Sequence, residues 1–526
     1  MRRRFLLALL SLPAALPAQS PAAALSPDTV AAVDRVFARY STRTPGCAVG
    51  VARNGQELLV RGYGMADLEA GAPVRPGTIF EAGSVSKQVT AFLVLRLEQE
   101  GKLSIDDPLR KYLPELPDYG APLTIRQVMS HTSGLRDWYS IAEVEGLIAY
   151  EHHFRNDDLL EMAARQRALN FPSGSEFLYS NTGWNLLALV IERASGVSFQ
   201  EFSRTRLFEP LGMTQTRWRD DFRTVVPGRA PAYAPVRDGG YVSQMPLMSI
   251  VGAGGLLTTV HDLLLWNENL STGRVGGKAL VERMQQRSHL ASGREIPYGL
   301  GLFVRQARGT LEVSHGGATG GYRAHVLRYP ARGLSIALLC NDAGANSAAL
   351  AGGVADAFLG AAGAQQAGAL ATNDADAMRG MYRVDRTGEP ADLTLRDGRP
   401  VFAGYTLQPV RRDAGAVAEL LGVNADGDSV GLTRMAPWTP TPAELRAYAG
   451  SYRTAEAPAA WRVVASGDTL RLEGPFRRRV LLRPAFRDTF VAPGLGSVAF
   501  RRDRRGQVTA VSFLMGRLRD IRLDRQ

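Results

Sequence analysis

The sequence predicts two parts: a mixed α/β or α+β unit, then a C-terminal region of short alternating strands. Three observations carry this. The chain has 526 residues, too many for one ordinary domain, with globular values of 45% apolar and 21% charged residues. From about 25 to 362 the periodicity runs as a hairpin, then helices, then strands, so one sheet joins the start and end of that stretch. Past a small, polar tract at 363–377, turn signals and period-two runs take over to the end, residues 378–526.

The elements follow in order. Met1-Arg2-Arg3-Arg4 and the apolar stretch behind it read as a secretory signal peptide over 1–24, with Ala22-Ala23-Ala24 the better small-residue cleavage site and Ala18 the other. The stretch is short of the roughly 20 apolar residues a spanning helix needs, and Pro13 and Pro17 interrupt it. The expectation is a periplasmic or secreted protein without a stable membrane anchor. CAVGVARNGQELLVRGYG reads as a hairpin turning at Asn54-Gly55. SVSKQVTAFLVLRLEQEG reads as a helix stopped at Gly101; Thr124 reads as the cap of IRQVMSH, and a third helix runs from about Thr182 to Gly196. YGLGLFVR, TLEVSHGG, YRAHVLRYP and LSIALLCND read as strands. In the last region Gly380-Met381-Tyr382-Arg383 resembles Gly450-Ser451-Tyr452-Arg453, and Leu407–Asp413 resembles Leu482–Asp488. Two related β units, over 378–435 and 445–526, or one barrel made from both, would explain this. The region is expected to stabilise the molecule, and leaning over the cleft to limit substrate size is the alternative.

Composition narrows the function. Lys+Arg 62 against Asp+Glu 51 gives +11, but only four of those bases are lysines, and the arginines are scattered among acids. No basic stripe or nucleic-acid motif appears, so nucleic acid is not an expected partner. The seven histidines show no metal spacing, and Cys47 and Cys340 form no C-x-x-C pair. A buried bridge between those cysteines and two inert core thiols both fit their strand-like settings. There is no G-x-S-x-G elbow, complete G-x-G-x-x-G or P-loop, so no cofactor or metal is expected.

The chemistry begins at Ser84-Val85-Ser86-Lys87, the single Ser-x-x-Lys of the chain. On a helix, residues three apart share a face, so the lysine stands beside the serine hydroxyl. Such a hydroxyl attacks a carbonyl only when a neighbour takes its proton, and a lysine can do so only when burial or nearby positive charge lowers its pKa. Arginine cannot. Gly83 permits a tight turn into the helix, whose N-terminus supplies backbone dipoles. Tyr179-Ser180-Asn181 adds a phenol able to relay protons and an amide able to hold a substrate. His315-Gly316-Gly317-Ala318 follows a strand; its glycines are read as letting a substrate approach the backbone, and the Ala318 N–H as pairing with that of Ser84 in an oxyanion hole. His131, in HTSGL, is read as a loop-shaping residue that hydrogen-bonds backbone. Each element alone also fits an ordinary helix start, turn or hairpin.

Their order is more specific. FEAGSVSKQVTAF, HTSGL, YSNTGWNLL, GAGGLLTT, YGLGL and HGGATGGYRA, in that sequence, resemble the serine β-lactamase and penicillin-binding protein family over about 30–360. The class C-like branch, with D-aminopeptidases, DD-carboxypeptidases and carboxylesterases, is the nearest match. The resemblance implies an α+β fold, an antiparallel sheet flanked by helices, and a barrel-like C-terminal extension as in some bacterial members. It implies Ser84 as acylated nucleophile, Lys87 and Tyr179 as proton-transfer partners with the acylation base open between them, Asn181 and Gly317 as substrate contacts, and His315 in place of the third-motif lysine. Because histidine is mostly neutral near pH 7, efficient β-lactam hydrolysis is not expected. An ester or D-amino-acid peptide, such as one derived from peptidoglycan, is the expected substrate. If His315 donates to that substrate, kcat/KM should fall as pH drops through about 6.5. Within the same resemblance, a slow-turnover penicillin-recognising sensor or a cell-wall binding protein is the alternative.

Overall fold

The computed structural model describes residues 25–148, 151–361, 372–396, 399–400, 402–403, 405–413, 416–424 and 428–526. The signal peptide read over 1–24 and residues 363–371 of the expected linker lie outside them; the rest of that linker contains a short helix, Thr372–Ala377, where no structure was expected.

The expected hairpin opens the first domain, with β1 (Cys47–Arg53) and β2 (Gln56–Tyr63) joined by Asn54 and Gly55 at φ of 50° and 78°. The later strands are β3 (Phe303–Ala307), β4 (Thr310–Thr319), β5 (Tyr322–Tyr329) and β6 (Leu334–Cys340). They form one antiparallel sheet in the order β3-β4-β5-β6-β1-β2, which joins chain start to chain end through β6 and β1. Cys47 and Cys340 lie directly opposite in that pairing and form a disulfide.

The alternation of β1 explains the layers. Cys47, Val49 and Val51 face a cluster with Val33 and Phe37 from around α1 (Pro27–Val36) and Val354 from a helix at Ser347–Leu359. Ala48 and Ala52 face the other way, into the larger core. Small residues there admit helices: a Cβ on Gly50 would meet Leu264 at 2.9 Å. Behind that face lie α2 (Ser86–Gln99) and α4 (Thr182–Ser195), while the buried side of α3 (Trp138–Val144) belongs to a separate cluster. Helix α2 is buried all round from Ser86 to Leu95, as suits a central helix. Helix α4 stops at Gly196 in the left-handed region, and Thr124 closes a capping box with Gln127.

The C-terminal region holds two separate β units. Strands β7 (Gly380–Val384), β8 (Pro390–Leu393), β9 (Tyr405–Asp413), β10 (Ala416–Asn424) and β11 (Ser429–Arg434) make an open sheet in the order β8-β7-β11-β10-β9. A closed eight-stranded barrel follows: β12 (Gly450–Arg453), β13 (Ala460–Ser466), β14 (Thr469–Glu473), β15 (Arg479–Phe486), β16 (Thr489–Val491), β17 (Ser497–Arg502), β18 (Val508–Met515) and β19 (Leu518–Arg525). The matching Gly-x-Tyr-Arg segments begin the first strand of each unit.

The barrel is bolted to the first domain. Its core, with Trp461, Phe490 and Phe513, is continuous with Trp138, Ile141 and Val144 of α3. The Trp461 indole donates to the Val144 carbonyl at 2.8 Å. Arg136 and Glu456 form a 2.6 Å ion pair across the junction, with side chains only 3% and 11% exposed. Among the described residues no helix is long and apolar enough to cross a membrane.

Candidate active site

Ser84 stands in a single helical turn, Gly83–Val85, that leads directly into α2. Gly83 has φ of 51°, and a Cβ there would lie 2.7 Å from the Ala318 nitrogen, so glycine alone lets the chain turn against β4. Lys87 follows on the same face and is wholly buried. Its Nζ lies 2.9 Å from Ser84 Oγ, 2.9 Å from Asn181 Oδ1 and 3.0 Å from the Ala253 carbonyl. Burial holds the Lys87 amine well below an ordinary lysine; Asp137 opposes that shift and Arg517 adds to it. The two carbonyl oxygens can only accept. A neutral amine that gives them its two N–H groups turns its lone pair toward the Ser84 hydroxyl.

The Tyr179 hydroxyl also hydrogen-bonds Ser84, and burial pushes its pKa up, so the phenol keeps its proton. The ring lies 4.9 Å from Lys87 Nζ and stacks on His131 at 4.1 Å. His131 Nδ1 accepts from the Ser180 N–H at 3.1 Å, and the His131 carbonyl accepts from the Leu178 N–H at 2.9 Å. His131 thus shapes the segment that carries the phenol, as its backbone-binding role led us to expect. Ser84, Lys87, Tyr179 and Asn181 all converge.

Asn181 is more committed than a free substrate ligand would be. Its Oδ1 takes the lysine, so Nδ2 must face the other way, where it donates to Asp137 Oδ2 at 3.0 Å; its backbone N–H reaches the same oxygen at 2.7 Å. Asp137 is fully buried and also caps α3 through the Tyr139 N–H. An aspartate before a helix reads as a cap and nothing more, which is why the sequence does not reveal its place behind Asn181.

Two readings of β4 need correction. Gly317 does not simply leave room for substrate: a Cβ there would lie 2.0 Å from the Ala82 carbonyl oxygen and 3.2 Å from the Ser84 nitrogen. The glycine lets β4 press against the turn that carries Ser84, setting the Ala318 and Ser84 amides side by side at the cleft. His315, only 2% exposed, has both ring nitrogens engaged. Nδ1 donates to the Gly316 carbonyl at 2.6 Å, so Nε2 is the acceptor for the Tyr298 hydroxyl at 3.1 Å. Burial, reinforced by Lys87, lowers its pKa to about 3. The expected donation to substrate and the titration near 6.5 therefore do not apply to this ring.

The cleft has a volume of about 760 Å³. Its floor includes Glu81, held by Arg219 at 2.7 and 3.0 Å, both buried. Arg323 is turned back onto the carbonyls of Gly320 and Tyr322. The barrel contributes Arg517, from the turn between β18 and β19, with its guanidinium 4.9 Å above the Tyr179 ring. The C-terminal region thus reaches into the cleft, contrary to the expectation of a stabilising role alone. A Gly-Arg pair between two strands reads as an ordinary hairpin turn and gives no hint of this.

The family model described as Beta-lactamase matches residues 33–360. A D-aminopeptidase of Gluconobacter oxydans (strain 621H) is 27% identical over 527 residues, covering 94% of this chain and 98% of its own length. Penicillin-binding protein 4* of Bacillus subtilis (strain 168) is 31% identical over 300 residues, covering 53% of this chain and 64% of its own. Among solved structures, the octameric penicillin-binding protein homologue from Pyrococcus abyssi superposes with a TM-score of 0.57 at 20% identity, covering 94% of this chain and 98% of its own.

Proposed function

The chain belongs to the beta-lactamase family and is a hydrolase of that family, and on that premise we propose that it cleaves D-amino-acid amides or short peptides through an acyl-enzyme on Ser84. The observation that carries this is the fully buried lysine whose Nζ meets Ser84 Oγ at 2.9 Å while two carbonyl oxygens take its other contacts. In this reading Lys87 is the acylation base. Ser84 Oγ attacks the carbonyl carbon, and its proton passes to Lys87. The oxyanion is met by the N–H groups of Ser84 and Ala318. Tyr179, kept protonated by burial, gives its proton to the leaving nitrogen as the C–N bond breaks and recovers one from the Lys87 ammonium. Water then attacks the acyl carbon with Lys87 again as base, and Ser84 regains its proton.

Similarity along nearly the whole length to a D-aminopeptidase supports a D-configured acyl residue and a small amide or peptide. The Cys47–Cys340 disulfide supports an oxidising compartment, which agrees with the export signal read in the leader. N-terminal sequencing of the mature protein tests the export. Intact mass after treatment with a fluorophosphonate tests the nucleophile: one adduct is expected, and none in Ser84→Ala. Steady turnover of a D-aminoacyl p-nitroanilide separates an enzyme from a sensor, which would give a burst and then a flat line.

A further inference from the structure

The cleft contains a cation that the reaction above does not use. Arg517 is carried on a turn clamped to the first domain. Its carbonyl accepts from the Asp137 N–H at 3.2 Å and from Asn170 Nδ2 at 3.0 Å. Two residues on, the Arg519 N–H donates to Asn170 Oδ1 at 2.8 Å, and the Arg519 guanidinium grips Glu176 at 3.0 and 3.1 Å. The backbone of the turn is thereby fixed, while the Arg517 side chain remains 48% exposed and lines the cleft.

Its charge is only loosely met. Asp137 stands 4.0 Å away, beyond hydrogen-bond length, and the oxygen concerned already serves two N–H groups of Asn181. The other cations are engaged otherwise: Arg219 with Glu81, Arg323 with backbone carbonyls, and Arg305 stacked over Phe303 at 4.2 Å. On the opposite wall His315 is neutral, so β4 offers no cation to a substrate.

The position indicates which part of a substrate would meet the guanidinium. The leaving nitrogen must come to the Tyr179 hydroxyl for its proton, and Arg517 lies over that same ring. In an amino-acid leaving group the α-carboxylate oxygens lie about 3 Å from that nitrogen by covalent geometry. A guanidinium fork suits such a carboxylate, and a turn held by backbone contacts loses little freedom on binding it. We propose that Arg517 anchors the carboxylate of the leaving group, so that the favoured substrates are peptides with a free carboxylate next to the scissile bond rather than amides or simple esters. This deepens the hydrolase reading and rests on it for the place of the leaving nitrogen.

The test uses a matched pair of ligands, D-alanyl-glycine and D-alanyl-glycinamide, bound to full-length Ser84→Ala protein so that nothing turns over. Calorimetry should give the acid about tenfold tighter binding than the amide. In Ser84→Ala/Arg517→Gln that ratio should collapse to about one, and in Ser84→Ala/Arg517→Lys it should recover in part. Thermal midpoints check that the variants fold, which the backbone nature of the turn's contacts favours. Equal binding of both ligands, no binding of either, or a preference that survives Arg517→Gln each overturns the proposal. Failure of the hydrolase reading is seen separately, as a fluorophosphonate that leaves Ser84 unmodified, and does not affect the binding ratio.

Discussion

Adding one methyl group at Gly317 should disable the enzyme, while the same change one residue earlier should not. A Cβ on Gly317 would sit 2.0 Å from the Ala82 carbonyl oxygen, 3.0 Å from the Ala82 carbonyl carbon and 3.2 Å from the Ser84 nitrogen. All three are backbone atoms of the turn that carries Ser84, so no side chain can swing aside. Restoring an ordinary contact of about 3.4 Å requires β4 and the turn to part by about 1.4 Å, and a misplacement of about 1 Å already costs about 10²-fold in rate. The displaced groups are the Ser84 and Ala318 amides, and loss of one oxyanion donor costs about 10²–10³ in kcat. Gly317→Ala should therefore lower kcat by at least about 10² on a p-nitrophenyl ester, at a stability cost of about 1–3 kcal/mol from overpacking. Gly316 is the control: a Cβ there would find His325 Nδ1 at 3.4 Å, an ordinary contact. Gly316→Ala should stay within about threefold of wild type, in line with a change that opens no cavity and adds no clash. A folded Gly317→Ala protein with near-normal kcat, or equal losses in both variants, would refute the reasoning.

Lys87→Arg, which keeps the charge but cannot shed a proton, should slow fluorophosphonate labelling of Ser84 by about 10²–10⁴-fold. Stability should fall as pH drops from about 6.5 toward 4: burial lowers His315 to about 3 and His325 to about 4, so the unfolded chain takes up protons that the folded rings refuse, at about 1.4 kcal/mol per pH unit for each ring. Denaturant titrations at stepped pH check this, with His325→Asn expected to flatten the slope. Glu456→Ala leaves the buried Arg136 charge without its carboxylate, held by Gln166 and the Asp520 carbonyl, and should destabilise the barrel junction by about 3–5 kcal/mol, read as earlier proteolytic cutting there. Arg136→Met/Glu456→Leu should restore most of that loss.

The readable features of the sequence are those set by local periodicity. The Asn54-Gly55 turn, α2 and α4 with their stops, and the Ser84–Lys87 spacing follow from rules that act within a few residues. Tyr179 and Asn181 stand out only through the order in which motifs occur, since nothing local ties either side chain to a serine some 95 residues earlier. Contacts between distant segments are not legible. Asp137 looks like a cap because it is one; that the same carboxylate orients Asn181 depends on a separation of 44 residues. Tyr298 is visible as part of YGLGL, but its bond to His315 Nε2 is not, and that bond occupies the nitrogen that the Gly316 carbonyl leaves as acceptor. Gly317 was misread for a related reason: a strand glycine signals close approach, without saying whether substrate or the chain itself approaches. Arg517 is the extreme case, one arginine in an arginine-rich chain, singled out only by where the barrel docks.

The central claim is that Lys87 is neutral where it touches Ser84. The chain has only four lysines, so nitrogen NMR of protein labelled at lysine Nζ gives a spectrum simple enough to assign. One Nζ resonance, absent in Lys87→Met, is predicted to show the shift of a free amine near pH 7.5. An ammonium shift for that same resonance persisting to pH 9 would contradict it.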